Sequence, residues 1–217
     1  MAILDALDGR TSLRETIAER LRGAIITGEM RPGQVYSAAA LATDLGVSAT
    51  PVREAMLTLA QEGMVEVARN KGFRVIELTD TDLDQITYLR RLIEVPAVAE
   101  IAAGLRHTEA AALRSAAEAI VKAADSSDLS EYLRADREFH LGLLALSGND
   151  VLVQIVGDLR SRARLYGLRS LAQSGTLTSS ADEHGQLLEL VLAGDSEGAR
   201  ALMDHHIAHI RTTWAAR

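Results

Sequence analysis

The stretch from Leu41 to Val75, LATDLGVSATPVREAMLTLAQEGMVEVARNKGFRV, constrains this chain more than any other. Its spacing predicts two short helices joined by a tight turn, then a two-stranded hairpin. Leu41, Leu45 and Val47 line one side of the first helix and its exit, and Gly46 stands where the turn needs a positive φ. The second helix should therefore cross the first steeply. Ser48 or Thr50 can cap it, Pro51 fits a first turn that needs no intrahelical donor, and Val52, Met56, Leu59 and Ala60 form its buried stripe. Arg53, Glu54 and Thr58 are left facing outward. Glu62-Gly63 ends the helix, Met64 to Val67 alternates as a strand, Arg69 to Gly72 turns, and Phe73 to Ile76 returns. A hairpin with a basic tip beside such a helix pair is a winged helix-turn-helix, an architecture that reads DNA.

The rest of the chain is of another kind. The 217 residues suit one small and one medium domain, and a 47% apolar composition suffices for a core in each. With 3% aromatics, abundant Ala and Leu, and three prolines at 32, 51 and 96, the expected fold class is mainly α. The absence of cysteine excludes disulfides and thiolate metal sites. No apolar run reaches membrane-spanning length and no basic leader opens the chain, so a cytoplasmic protein without a membrane partner is expected. A net charge of −7 is unusual for a DNA binder, but it is unevenly placed. Residues 1–78 carry 9 Arg/Lys against 10 Asp/Glu, and the remainder 14 against 20, so the acidity sits in the second part. Local phosphate contacts set DNA affinity, and a near-neutral domain with a basic tip can make them, with salt-sensitive nonspecific binding.

The boundary falls at ELTDTD, where Thr79 or Asp80 can cap a new helix, giving domains 1–78 and 79–217. Beyond it, periodicity predicts six helices, near 80–104, 107–125, 128–147, 149–172, 180–194 and 196–216, joined by short turns as an antiparallel all-α bundle. Polar residues interrupt its apolar stripes. In the third helix the positions 129, 133, 136, 140 and 143 read Leu, Leu, Asp, His, Leu, so Asp136 and His140 point inward. His184 lines up with Leu187, Leu188 and Val191, and His206 with Ala199, Met203, Ile210 and Thr213. Buried unpaired, such groups are costly, so they need each other, other side chains or a cation. Three histidine nitrogens and one carboxylate suit Zn²⁺, Ni²⁺ or Mn²⁺; the alternative is a hydrogen-bonded polar core. His205 and His209 share an i, i+4 spacing beside Asp204 and read as a solvated pair rather than a second site, while His107 carries no signal. Arg90 sits on the stripe of Leu83, Ile86, Ile93 and Ala97, either as a carboxylate clamp or as the i, i+4 ion-pair partner of Glu94. Arg162 or Arg164 can supply a second cation, and Asn149 caps its helix.

These motifs resemble a known family. IAERLRGAIITGEMRPGQVYS (17–37), LGVSATPVREAM (45–56), EGMVEV (62–67) and the wing glycine Gly72 are similar to the GntR transcription regulators. The second part, with Asp136-x-x-Phe139-His140, Glu183-His184 and ARALMDHHI (199–207), resembles the FCD effector domain of the FadR branch in its six-helix, VanR-like form. The resemblance implies a divalent metal at Asp136, His140, His184 and His206, and a small carboxylate effector that can complete its coordination, with Arg90 as an effector-binding candidate. One departure stands out, because the family's usual arginine after the motif serine is Ala49 here, and Ala38 and Ala39 replace common charged residues. The remaining DNA-binding candidates are Thr50, Arg53, Arg69, Asn70, Lys71 and Gly72, with Arg74 beside the wing; the alternative for Arg53-Glu54 is a solvated face.

The resulting expectation is a ligand-responsive repressor that is not an enzyme and binds a short palindromic double-stranded DNA operator as a homodimer. Two alternatives differ in chemistry. A metal sensor would respond to the ion itself, and a metalloenzyme with a vestigial DNA reader would need a positioned base, for which the chain offers no candidate beyond the ligands.

Overall fold

In the computed structural model, residues 13–104, 110–174 and 177–215 are described, with side chains for all of these except 110, 164–174 and 209–215. The chain divides into two compact units, Met1–Ile76 and Glu77–Arg217.

The first unit runs α1 (Leu13–Thr27), β1 (Val35–Tyr36), α2 (Ala38–Leu45), α3 (Ala49–Gln61), β2 (Val65–Ala68) and β3 (Gly72–Val75). Ser37 caps α2, its hydroxyl accepting from the Ala40 N–H, and Gly46 closes that helix in the left-handed region at φ 67°. Ser48 is the N-cap residue of α3 but makes no side-chain capping bond, which places Pro51 inside the first turn. The buried stripe of α3 is Val52, Ala55, Met56 and Leu59. Ala55 replaces the expected Ala60, which is half-buried, because α1 covers α3 with Ile17, Ala18, Leu21 and Ile25 and widens its apolar arc. Arg22 of α1 holds Glu62 at the end of α3 through Nε and Nη2, at 3.0 and 2.6 Å.

The hairpin gains a third strand absent from the sequence reading. Order β1-β3-β2 is antiparallel, with Val35 opposite Arg74, Tyr36 opposite Phe73, and Val65 opposite Val75. A two-residue strand is too short to show periodicity, and only pairing defines it. Gly72 is demanded twice: its φ is 122°, and a Cβ there would lie 2.3 Å from the Tyr36 carbonyl oxygen.

The second unit is a bundle of α4 (Asp80–Gly104), α5 (Ala110–Asp125), α6 (Leu129–Ala145), α7 (Asp150–Ser174), α8 (Leu177–Leu192) and α9 (Ser196–Ala215). Thr79 caps α4, its hydroxyl accepting from the Asp82 N–H while the Asp82 carboxylate accepts from the Thr79 N–H. Asp128 caps α6 and Asn149 caps α7 by accepting from Glu131 and Leu152 N–H groups, so Asn149 has the capping role its position implied. α4 packs along α9 and also meets α6, α7 and α8, while α5 is sandwiched against α6 and α8. Val98, Ile120, Phe139, Leu143, Leu188 and Met203 are buried in the core, whose polar centre is described below. Among the described residues no helix is long and apolar enough to cross a membrane.

Candidate DNA-reading face and metal-ligating cluster

The first unit presents a groove of about 480 Å³ between the start of α3 and the wing. It gathers Thr50, Arg53, Asn70, Lys71 and Gly72 of the six DNA-binding candidates, together with Ser37, Ala38, Ala39 and Ala49. Ala49, Thr50 and Arg53 are exposed on the first turns of α3, and Asn70 holds the wing tip in the left-handed region at φ 59°. Arg69 is exposed but does not line the groove, and Arg74 pairs with Glu66 at 3.6 Å.

In the second unit, α6, α8 and α9 bring Asp136, His140, His184 and His206 together, one ligand atom from each lying within 4.8 Å of all the others. The three imidazoles are 1–2% exposed. The His140 and His184 Nε2 atoms are 3.0 Å apart, and His184 Nε2 lies 3.3 Å from Asp136 Oδ1. Both rings stand nearly perpendicular to Phe139, whose centroid lies 5.4 Å from His140 and 5.2 Å from His184.

The outer hydrogen bonds decide which nitrogens carry lone pairs. His184 Nδ1 donates to the Ala181 carbonyl at 3.1 Å, and His206 Nδ1 donates to Glu183 Oε2 at 2.6 Å. In the neutral rings both Nε2 atoms are therefore acceptors turned toward the cluster. Asp136 Oδ2 is taken by Arg160 Nη2 at 2.7 Å, which leaves Oδ1 toward the same point. Three acceptors thus crowd together, and His206 Nε2 is fully buried with no hydrogen-bond partner. A cation would satisfy that arrangement, whereas in the neutral rings a single His140 Nε2–H can serve only one acceptor. Burial holds His140 well below the usual imidazole value, with the Arg160 charge adding to the effect. Burial likewise pushes His206 down to about 4 against the opposing pull of Glu183. Neutral imidazoles are the ligating form.

A second layer surrounds the cluster. Glu94, 0% exposed, accepts from Arg90 Nε at 2.6 Å and from Arg160 Nη1 at 3.1 Å. The Arg90–Glu94 ion pair is therefore formed, yet Arg90 Nη2 and Arg160 Nε stay buried without partners. Among the described residues the buried cation beside Arg90 is Arg160, while Arg162 is exposed; the Arg164 side chain, His107 and the His209 side chain lie outside the described residues. Arg160 falls in line with Val156 and Ala163 on α7, a stripe that would have revealed it. Glu183 gave no such signal, since its partner is on another helix. His205 is exposed, 3.6 Å from Glu183 Oε1.

A winged helix-turn-helix followed by a helical bundle with a ligating centre defines a DNA-binding regulator with an effector-type domain. The family of bacterial regulatory proteins, gntR, matches residues 13–75, and the FCD domain matches residues 85–209. The chain belongs to the GntR family, carries an FCD domain, and is a transcriptional regulator rather than an enzyme. It is 31% identical over 203 residues to a helix-turn-helix transcriptional regulator in an unstable DNA locus of Streptomyces ambofaciens, covering 92% of this chain and 84% of that one. It is 29% identical to the transcriptional regulator McbR of Escherichia coli K12, over 87% of this chain and 86% of McbR. A solved structure of McbR superimposes with a TM-score of 0.71 over 92% of this chain and 95% of the other. The transcriptional repressor GlaR of Escherichia coli K12 is 31% identical over 86% of this chain and 89% of its own length.

Proposed function

We propose that this regulator represses transcription as a cytoplasmic homodimer on a short palindromic operator, and that a small carboxylate effector bound in its bundle weakens that grip. A divalent metal, Zn²⁺, Ni²⁺ or Mn²⁺, is held by Asp136 Oδ1 and the Nε2 atoms of His140, His184 and His206. The observation that carries this reading is the buried, unpartnered Nε2 of His206 in a group of ligand atoms within 4.8 Å of one another. When bound, the ion supplies positive charge and open coordination positions that attract a carboxylate. The chain's own part is orientation: Glu183 and the Ala181 carbonyl hold two imidazoles with their lone pairs inward, and Arg160 aims Asp136. Arg90 Nη2 is the effector-binding candidate, its Nε being taken by Glu94. Thr50, Arg53, Arg69, Asn70, Lys71 and Gly72 contact DNA, with the N-terminal turn of α3 toward base edges. The repressor role is supported by the name of GlaR.

The test is elemental analysis of protein purified without chelator or histidine tag, beside an Asp136→Ala/His140→Ala double variant. About one metal per chain, lost in the variant, is expected; none in folded wild-type protein after adding Zn²⁺, Ni²⁺ or Mn²⁺ sinks the metal site. A footprint on one asymmetric half-site at saturating protein would rule out the dimeric reader. A metal-sensing reading is favoured by Glu94, which already takes Arg90 Nε and Arg160 Nη1. It requires that metal alone switch operator affinity, with no organic acid added.

A further inference from the structure

Where α2 and α3 begin, methyl groups line the groove beside the wing, with Arg53 and Lys71 as its cations. Ala38, Ala39 and Ala49 line it with Thr50 and Arg53, and Val67 lines it from the wing at 63% exposure. Ala49 is the first residue of α3 and is exposed, the position at which a recognition helix meets base edges. A methyl there neither donates nor accepts, so it cannot read guanine N7 or O6, adenine N6 or cytosine N4. The complementary feature of a base edge in the major groove is the thymine 5-methyl group. Arg53, four residues on and lining the same groove, keeps the fork that suits guanine.

We propose that this chain reads a thymine 5-methyl in each operator half-site through Ala49, seated among Ala39 and Ala38, with Arg53 reading a neighbouring guanine. The inference rests on the DNA-binding reading above and specifies the class of base it selects. The loss of one buried methyl corresponds to an affinity change of about threefold to fivefold. Specificity at this position comes from shape and desolvation and carries no hydrogen bond.

The experiment selects operators from random duplexes with the full-length protein, then replaces each selected thymine in turn by deoxyuridine, which removes only the methyl. Dissociation constants are read by fluorescence anisotropy at fixed salt. One thymine per half-site should weaken binding by about threefold to fivefold on losing its methyl. Ala49→Arg should select guanine at that position and become indifferent to the methyl there. Deoxyuridine duplexes that all bind like the parent would overturn the proposal. So would an Ala49→Arg protein that keeps the parental preference and methyl sensitivity. Selection yielding no sequence, with no duplex bound even at low salt, would overturn the DNA-reading interpretation itself and this inference with it.

Discussion

His206 donates its Nδ1 proton to Glu183 Oε2 across 2.6 Å, so its opposite nitrogen enters the ligating cluster as a buried lone pair. The bond links α8 to α9 and sets the tautomer on which ligation depends.

Glu183→Ala should therefore lower metal affinity by about 10- to 100-fold, the range seen when an outer hydrogen-bond partner of a ligand is removed. Competition against a chelating dye measures it, with circular dichroism verifying the helices. Unchanged affinity would mean that the Glu183 bond does not set the ligating tautomer of His206.

Acid should loosen the metal-free bundle before it affects ordinary surface groups. His206 titrates near 4 when folded against an ordinary 6.5, and His140 is also depressed. Depressed folded values mean that the unfolded chain binds more protons. The stabilisation is thus complete above about 6.5 and is lost as pH falls toward 4. Thermal midpoints of chelator-treated protein across this window should drop steeply, and the metal-loaded protein should release its ion over the same range. A flat profile would contradict buried neutral imidazoles.

Arg160→Met should destabilise the bundle by about 3–5 kcal/mol, because it leaves Asp136 and Glu94 buried with a lost partner each. Urea unfolding followed by circular dichroism measures the loss. Arg162→Met, on the exposed side of the same helix, should stay within about 0.5 kcal/mol of wild type.

Gly72→Ala should damage the wing alone. The added Cβ would meet the Tyr36 carbonyl at 2.3 Å, so β3 must part from β1 or the wing must tilt. Operator affinity should fall by about fivefold or more, by loss of wing contacts of order 1–3 kcal/mol, while metal content stays that of wild type. Equal affinity would remove the wing from the reading surface.

Arg53→Ala should cost about 1–3 kcal/mol of operator binding and relax selection at one base per half-site. Repeating the operator selection with the variant shows both; a uniform loss across sequences would assign Arg53 to phosphate contact.

The helix-turn-helix was legible because Gly46, Pro51 and the α3 stripe are local signals, each acting within one turn or one helix face. The six bundle helices were legible for the same reason. Ala55 taking the place of Ala60 and the added strand β1 were not, since each depends on what a neighbouring element covers or pairs with.

The sequence by itself determined the two kinds of domain and the inward Asp136, His140, His184 and His206, because periodicity places a residue on a face without knowledge of its neighbours, and the resemblance marked Ala49 as a departure from the family's arginine. Only the tertiary structure decided that those four ligand atoms meet within 4.8 Å, that Glu94 joins Arg90 to Arg160, and that Glu183 orients His206. Each of those contacts crosses between helices or joins a third partner to a pair, and what a buried polar group requires is set by the partner that packing brings to it.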